Sequence, residues 1–151
     1  MSAESETGDV REIREILARQ LANITWTAGK DSDWAAFSED FLPDVSLYAA
    51  TRTAKSQPVE TFVERMKSLP ETGLKSFEQS MLSAEVHVFG SVDIAFGVCR
   101  NLENGTDEIR GIEAYLLVKD DGSWKIASQT WDTENDFQII PEYLLAEKNL
   151  F

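Results

Sequence analysis

Apolar residues in the first half of the chain recur every three or four positions, which is the spacing of amphipathic helices. The spacing predicts a first helix that begins at Asp9, where an acid three positions later completes a capping box, and that fades by Gly29. It predicts a second helix from Ser32 up to Pro43 and a third that opens at Pro58. The three apolar stripes consist of Val10, Ile13, Leu17, Leu21 and Ile24; of Trp34, Phe37 and Phe41; and of Val59, Phe62, Val63 and Met66.

The spacing changes after residue 75, where four β-rich runs follow a shorter one, Val45–Tyr48. The links between the four runs hold turn sequences that are typical of hairpins, namely Gly90-Ser91, Asn104-Gly105 and Asp121-Gly122. Strands joined by such short links are antiparallel neighbours. The four predicted strands are Phe77–Phe89, Val92–Leu102, Ile109–Lys119 and Trp124–Trp131.

Helices followed by a meander of strands are typical of an α+β fold. We expect the three helices to pack on a curved antiparallel sheet and to enclose a cone-shaped cavity, whose open end is the natural place for a ligand. The predicted organisation is a disordered tail over residues 1–8, one domain over residues 9–135, and an apolar C-terminal tail over residues 136–151. That tail is expected to dock on the domain or on a dimer partner.

The amino-acid composition argues against some classes of binding partner. The chain carries 14 Lys and Arg against 27 Asp and Glu, a formal net charge of −13, which argues against binding to nucleic acid or to an anionic membrane surface. No run of about 18 apolar residues is present, and the acidic first residues do not resemble a secretory signal, so the sequence predicts a cytoplasmic protein. The single cysteine, Cys99, and the single histidine, His87, fall on different strands, and we expect neither a disulfide nor a metal site.

The third of the four strands contains an acid, Glu113, between Ile112 and Ala114. On the inner face of the sheet, burial would raise the pKa of Glu113, and the carboxyl group could donate or accept a proton near neutral pH. Strand alternation places Glu113, Tyr115 and Leu117 on one face and four apolar residues on the other. The second set is more typical of a core, which favours an outward Glu113 that pairs with a basic residue; an inward Glu113 in a pocket is the alternative.

Four further residues are candidates for a ligand site. Tyr48 ends the short β-prone run, and its hydroxyl could anchor a ligand oxygen or lie at a wet rim. Asp44 could act as an acid at the pocket rim or cap the turn after Pro43. Trp26 and Trp131 are candidates for the pocket walls, because ligand pockets are lined mainly by apolar and aromatic side chains.

Four segments of the chain, in this order, resemble the nuclear transport factor 2-like superfamily, which includes SnoaL-like polyketide cyclases, ketosteroid isomerases and scytalone dehydratases. The segments are Asp33–Val45, Pro58–Met66, Gly90–Ala95 and Gly122–Ile126. The resemblance covers residues 9–135 and implies a cystatin-like roll, a ligand pocket and a homodimer. The superfamily holds both enzymes and binding modules, so the resemblance by itself does not assign an activity.

The catalytic residues of these families transfer only in part. Ketosteroid isomerases use an aspartate base just after the first strand, and that place falls near Ala49; a later protonated aspartate falls at or near Glu113. Scytalone dehydratases use two histidines, and their places fall near Gln79 or Ser80 and near Val98. The resemblance therefore implies a polar pocket position for Glu113 and makes Gln79 a candidate for ligand binding.

Together, these observations predict a SnoaL-like small-molecule pocket protein. Its ligand is expected to be mainly apolar, with a cyclic compound as one option, and any reaction is expected to be proton transfer of isomerase, dehydratase or cyclase type without a cofactor. The catalytic candidates are Glu113, Tyr48 and Asp44, and the ligand-binding candidates are Trp26, Trp131 and Gln79. The alternative is a non-catalytic ligand-binding or protein-association module, which the missing base and histidines and the apolar tail favour.

Overall fold

The computed structural model describes residues 7–50 and 53–151. Among these residues, two α-helices come first along the chain and a third follows the first strand. They are α1 (Gly8–Ile24), α2 (Trp34–Glu39) and α3 (Val59–Lys67), and each buries apolar residues of its predicted stripe. Most of the tail predicted over residues 1–8 lies outside the described residues. No helix in the described ranges is long and apolar enough to cross a membrane.

Helix α1 begins one residue earlier than predicted, because Thr7 caps it. The Oγ1 atom of Thr7 accepts the backbone N–H of Val10 at 3.1 Å, so the capping role predicted for Asp9 is wrong. The Asp9 carboxylate instead accepts the indole N–H of Trp124 at 2.9 Å and the ammonium of Lys119 at 3.0 Å. These two hydrogen bonds lower the pKa of Asp9 and tie the start of α1 to the last hairpin.

In the described part of the chain, five strands form one curved, open sheet: β1 (Phe41–Ala49), β2 (Phe77–Phe89), β3 (Val92–Glu103), β4 (Asp107–Asp120) and β5 (Ser123–Thr133). Their order across the sheet is β1-β5-β4-β3-β2. The four later strands are antiparallel neighbours, as their turn sequences predict. The predicted α+β fold, with three helices packed on a curved sheet, is confirmed.

The first strand departs from the prediction. The sequence predicts a helix up to Pro43 and then a short strand, Val45–Tyr48, but the strand begins at Phe41 and runs parallel to β5. Its register is irregular between Phe41 and Ser46, the stretch that contains the proline, because proline has no N–H to donate to a neighbouring strand. The sheet is therefore mixed, with one parallel pair at its β1 edge.

The helices cover the face of the sheet that carries Glu113, Tyr115 and Leu117, none of which is more than 6% exposed. On the opposite, outer face, Leu116 is 51% exposed and Phe96 is 43% exposed. The interpretation that the more apolar face of β4 is the core is therefore wrong. The apolar stripes of α1 and α3 join the face that holds the acid, and the outer face keeps large apolar side chains at the surface.

The C-terminal tail (residues 136–151) folds back onto the domain. Ile140 is buried in an apolar cluster with Val98 on the outer face of the sheet. Near the end of the tail, the guanidinium group of Arg14 on α1 donates to the backbone carbonyl of Leu150 at 2.6 Å. The tail thus connects the outer face of the sheet to the first helix.

Candidate functional site

A cavity of about 200 Å³ lies between the inner face of the sheet and the helices. Aromatic rings form one side of it: Phe37 and Phe62 stack with ring centroids 5.6 Å apart, and Trp131 meets Phe62 edge-on at 5.7 Å. The remaining apolar wall consists of Ile24, Leu47, Met66, Leu69, Phe77 and Ile112. The walls therefore suit an apolar ligand that is oriented by a few polar groups.

Glu113 is the buried acid of this cavity. It lies on β4, opposite Gly97 of β3 and Trp131 of β5, and it is 6% exposed. The side-chain N–H of Gln129 donates to its Oε2 atom at 3.2 Å. Its other carboxyl oxygen, Oε1, makes no hydrogen bond to a described residue, which leaves that oxygen for a ligand in the cavity.

Burial raises the pKa of Glu113 to about 8, and the hydrogen bond from Gln129 opposes that rise. Near neutral pH the group is therefore mainly a neutral carboxylic acid, and slightly above neutral pH it becomes a carboxylate base. Burial also raises the pKa of Cys99 in the cavity wall, and the nearby charge of Glu113 adds to that rise, so Cys99 remains a neutral thiol.

A second polar point of the cavity is an amide pair on β2 and β3. The side-chain N–H of Gln79 donates to Oδ1 of Asn101 at 2.8 Å, and both residues line the cavity. Among the described residues, the side-chain oxygen of Gln79 and the side-chain nitrogen of Asn101 make no further hydrogen bonds. The pair can therefore offer one acceptor and one donor to a ligand.

Two charged side chains also line the cavity, both half-buried. The guanidinium of Arg65 on α3 lies 5.7 Å from the ring centroid of Phe62, and Asp132 on β5 accepts a side-chain N–H of Gln138 at 3.1 Å. No group of three or more His, Cys, Asp or Glu residues in the described part of the chain is placed to hold a metal ion.

The structure brings three of the six predicted site residues together, Glu113, Trp131 and Gln79. The other three lie elsewhere. Trp26 pairs through its backbone with Phe77 and borders a separate surface depression with Trp34.

Tyr48 is in register with Thr130 and is flanked by buried Leu47 and Ala49, so strand alternation directs it to the outer face. Asp44 is exposed in the irregular part of β1. Neither residue lines the cavity.

Several polar residues of the site were not predicted: Gln129, Asn101, Arg65 and Asp132 on the cavity lining and, behind the cavity wall, Gln20. Of these residues, Gln20 is the one that the sequence could have identified as a buried polar residue. It is a polar residue between Leu17 and Leu21 on the apolar side of α1, and it is 1% exposed. A polar side chain within an apolar stripe indicates a buried hydrogen bond, because an unpaired buried amide is destabilising.

Comparisons with known proteins locate the fold. No family profile matches the chain, and no curated protein matches its sequence. Solved structures do match it. A nuclear transport factor 2-like protein with a cystatin-like fold from Novosphingobium aromaticivorans aligns with a TM-score of 0.69 at 16% identity, over 85% of this chain and 83% of that one.

Two further structures have named functions. The hexachlorocyclohexane dehydrochlorinase LinA-type3 from Novosphingobium barchaimii aligns with a TM-score of 0.68 at 11% identity, over 88% of this chain and 94% of its own. The β subunit of benzoate 1,2-dioxygenase from Burkholderia mallei aligns with a TM-score of 0.64 at 16% identity, over 93% of this chain and 99% of its own. The chain therefore has the cystatin-like fold of nuclear transport factor 2-like proteins, which confirms the predicted resemblance at the level of the fold.

Proposed function

We propose that this protein binds a mainly apolar small molecule in the cavity and that Glu113 transfers a proton to or from it without a cofactor. The observation that carries the proposal is the buried carboxyl group of Glu113, which has one oxygen held by Gln129 and the other open to an apolar cavity. Water-poor surroundings strengthen the interaction of such a group with a ligand oxygen or an acidic C–H bond. The reaction class is isomerase, dehydratase or cyclase.

The volume of the cavity limits the size of the ligand. An engineered apolar cavity of about 150 Å³ holds benzene, so a cavity of about 200 Å³ suits one ring with small substituents. A fused four-ring compound would need the walls to move apart. The dehydrochlorinase that shares the fold is named for a compound with a single six-membered ring, which agrees with this size.

The proposed roles follow from the lining. Glu113 is the general acid or base, because burial brings its pKa to about 8 and a group that titrates near the working pH transfers protons most effectively. Trp131 is a wall against the ring, and Gln79 with Asn101 is a polar anchor. Tyr48, Asp44 and Trp26 have no role in the proposed site, because they lie away from the cavity.

The test is proton exchange on simple cyclic ketones in D₂O, with deuterium incorporation next to the carbonyl measured by NMR. We expect the protein to accelerate exchange above the buffer rate, and Glu113→Gln to reduce the acceleration by about 10²- to 10⁴-fold, the usual contribution of a general acid or base. Glu85→Gln serves as the matched control and should exchange like the wild type, because Glu85 is opposite Phe96 on the outer face of the sheet.

Tryptophan fluorescence separates binding from chemistry. Saturable quenching by the ketones that is reduced in Trp131→Phe supports the pocket, since Trp131 forms part of its wall. Saturable quenching without exchange would refute proton transfer on these compounds and leave a binding protein. Absence of both at millimolar ketone would count against the small-molecule proposal as a whole.

The second candidate function is protein association, and the outer face of the sheet favours it. Ile94 and Leu116 are paired on neighbouring strands and are 55% and 51% exposed, with Phe96 beside them at 43%. A contiguous exposed apolar patch is typical of an interface, and we propose a second copy of the chain as the partner. Sedimentation equilibrium should give a dimer mass that Leu116→Lys reduces to the monomer; a wild-type monomer at 100 µM would refute the dimer.

A further inference from the structure

A chain of buried polar side chains leads from the cavity into the core between α1 and the sheet. The Tyr115 hydroxyl donates to Oε1 of Gln20 at 2.6 Å, and Nε2 of Gln20 donates to Oε1 of Gln129 at 2.7 Å. Nε2 of Gln129 donates back to Oε1 of Gln20 at 3.2 Å and onward to Oε2 of Glu113 at 3.2 Å. All four side chains belong to residues that are 6% exposed or less.

Gln20 is the member of this chain that needs an explanation beyond the cavity. It does not line the cavity, and its neighbours on the apolar side of α1, Leu17 and Leu21, are fully buried. A leucine there would continue the stripe without any need for hydrogen bonds. The residue present instead makes a reciprocal amide pair with Gln129, the only described residue that donates to Glu113.

We propose that Gln20 is a positioning residue: its paired hydrogen bonds with Gln129 hold the Gln129 N–H against Oε2 of Glu113 and so reserve Oε1 as the oxygen that meets a ligand. This inference rests on the proposed function only for what Glu113 does to a ligand. The orientation of Glu113 can be tested on the protein without any ligand.

The geometry explains why one amide controls the other. The oxygen of Gln20 accepts from both Tyr115 and Gln129, so its nitrogen faces the oxygen of Gln129, and the nitrogen of Gln129 is left to face Glu113. Without Gln20, the amide of Gln129 is free to turn over and present its oxygen to Glu113. A protonated Glu113 would then donate from Oε2 to Gln129, and its proton would point away from the cavity.

Loss of Gln20 should therefore raise the pKa of Glu113. The carboxylate loses a donor that favours the charged form, and the neutral acid gains an acceptor. Other ionisable groups near Glu113 are Tyr115 and Cys99 on the sheet, Arg65 on α3 and Asp132 on β5. The measurement must separate Glu113 from these groups.

The experiment is a carboxyl-carbon NMR titration of the full chain labelled with ¹³C-glutamate, in which Glu113→Gln identifies the Glu113 signal. We expect Gln20→Met, which is close in shape but cannot donate or accept as an amide does, to raise the Glu113 pKa by about one pH unit. Tyr115→Phe leaves the amide pair in place and should cause a smaller rise.

Ile13→Val is the matched control, because it removes one methyl group from a fully buried position of the same helix without touching the chain of amides. It should lower the stability and leave the Glu113 pKa in place. Gln20→Asn, whose amide is one methylene too short to reach Gln129, replaces Gln20→Met if that variant does not fold. An unchanged Glu113 pKa in the Gln20 variants, or an equal rise in Ile13→Val, would overturn the proposal.

The proton-exchange assay then separates this proposal from the proposed function. A Gln20 variant should move the pH midpoint of exchange in the same direction as the NMR titration. A shifted titration without any exchange in the wild type would refute the catalytic proposal and keep the positioning role. Wild-type exchange with an unshifted titration would refute the positioning role and keep the catalytic proposal.

Discussion

Two buried acids share the inner face of the sheet and differ in their surroundings. Glu113 on β4 and Asp93 on β3 are 6% and 3% exposed, and burial is the main cause that raises the pKa of each, to about 8 and about 7. Glu113 faces a cavity and receives a hydrogen bond from Gln129. Neither oxygen of Asp93 has a hydrogen-bond partner at bonding distance among the described residues, and the neighbouring His87 is the group that opposes the rise in its pKa. Asp93 does not line the cavity.

The comparison of Glu113 with Asp93 shows that burial of an acid is not by itself evidence of a functional site. A raised pKa reports that an acid has left water, which both residues have done. A site needs in addition a space for a ligand and partners that hold the acid in one orientation, and Glu113 has both of these. Asp93 has neither, and we interpret it as a group that costs stability whenever it is ionised.

The largest expected effect is on the stability of the wild-type protein as a function of pH. Both acids have a folded-state pKa above the unfolded value, so their contribution is fully present below about pH 4 and is lost as the pH rises through about 7 for Asp93 and about 8 for Glu113. At pH 6 unfolding releases about two protons, and the free energy of unfolding should fall by up to about 3 kcal/mol per pH unit.

Urea unfolding at half-unit steps from pH 5 to pH 9 measures this slope. Salt at 0.5 M in a parallel series controls for the repulsion between surface charges of a chain with net charge −13, because salt screens exposed charges far more than buried ones. A flat profile between pH 5 and pH 8 would mean that both acids are ionised in the folded state, and the comparison would have no basis.

The second largest expected effect is the change in stability when either acid is replaced by its amide, which shows how much each acid contributes to the pH dependence of the free energy of unfolding. Between pH 5 and pH 8.5, Asp93→Asn should gain about 2 to 3 kcal/mol of unfolding free energy relative to the wild type, and Glu113→Gln about 3 to 4 kcal/mol, because neither amide ionises. Each variant should release about one proton fewer on unfolding than the wild type does. The number of protons released by each variant is obtained from the pH dependence of its unfolding free energy, measured in the same urea series.

The proton-exchange assay should also distinguish Asp93→Asn from Glu113→Gln. Glu113→Gln is expected to reduce the acceleration of proton exchange on cyclic ketones by about 10²- to 10⁴-fold, whereas Asp93→Asn should keep it within about twofold of the wild type. An Asp93→Asn variant that loses exchange as completely as Glu113→Gln would place Asp93 in the site and contradict our interpretation.

The same two strands show what the sequence could predict. The bounds of β2 to β5 follow from turns that are local: Asn104 and Gly105, and Asp121 and Gly122, all have positive φ angles, which suit the tight links between antiparallel strands. The face that the helices cover is not a local property. On β3 the larger apolar side chains point outward, and on β4 the acid lies on the covered face, so composition alone indicates the wrong face as core.

The candidate site shows the same limit. Glu113 is recognisable in the sequence as an acid in an apolar run, Trp131 as an aromatic candidate for a pocket wall, and Gln79 through the family resemblance. The hydrogen bonds between Gln20 and Gln129 could not be predicted, because the two residues are 109 positions apart in the chain. No spacing along the sequence reveals such a pairing. Tyr48 was misplaced because the parallel pairing of β1 with β5 sets its face, and that pairing is equally remote.

The smallest expected effect concerns the independence of the two acids. Asp93 is opposite Leu117 and Glu113 is opposite Gly97, which separates the acids by four residues, or about 13 Å, along the strands. Neither carboxyl group contributes to the pKa shift of the other. The stability effects of Asp93→Asn and Glu113→Gln should therefore add to within about 0.5 kcal/mol in the double variant at every pH. A coupling energy above about 1 kcal/mol would show that the two carboxyl groups interact through the sheet. The ionisation of Asp93 would then affect the carboxyl group of Glu113 in the cavity.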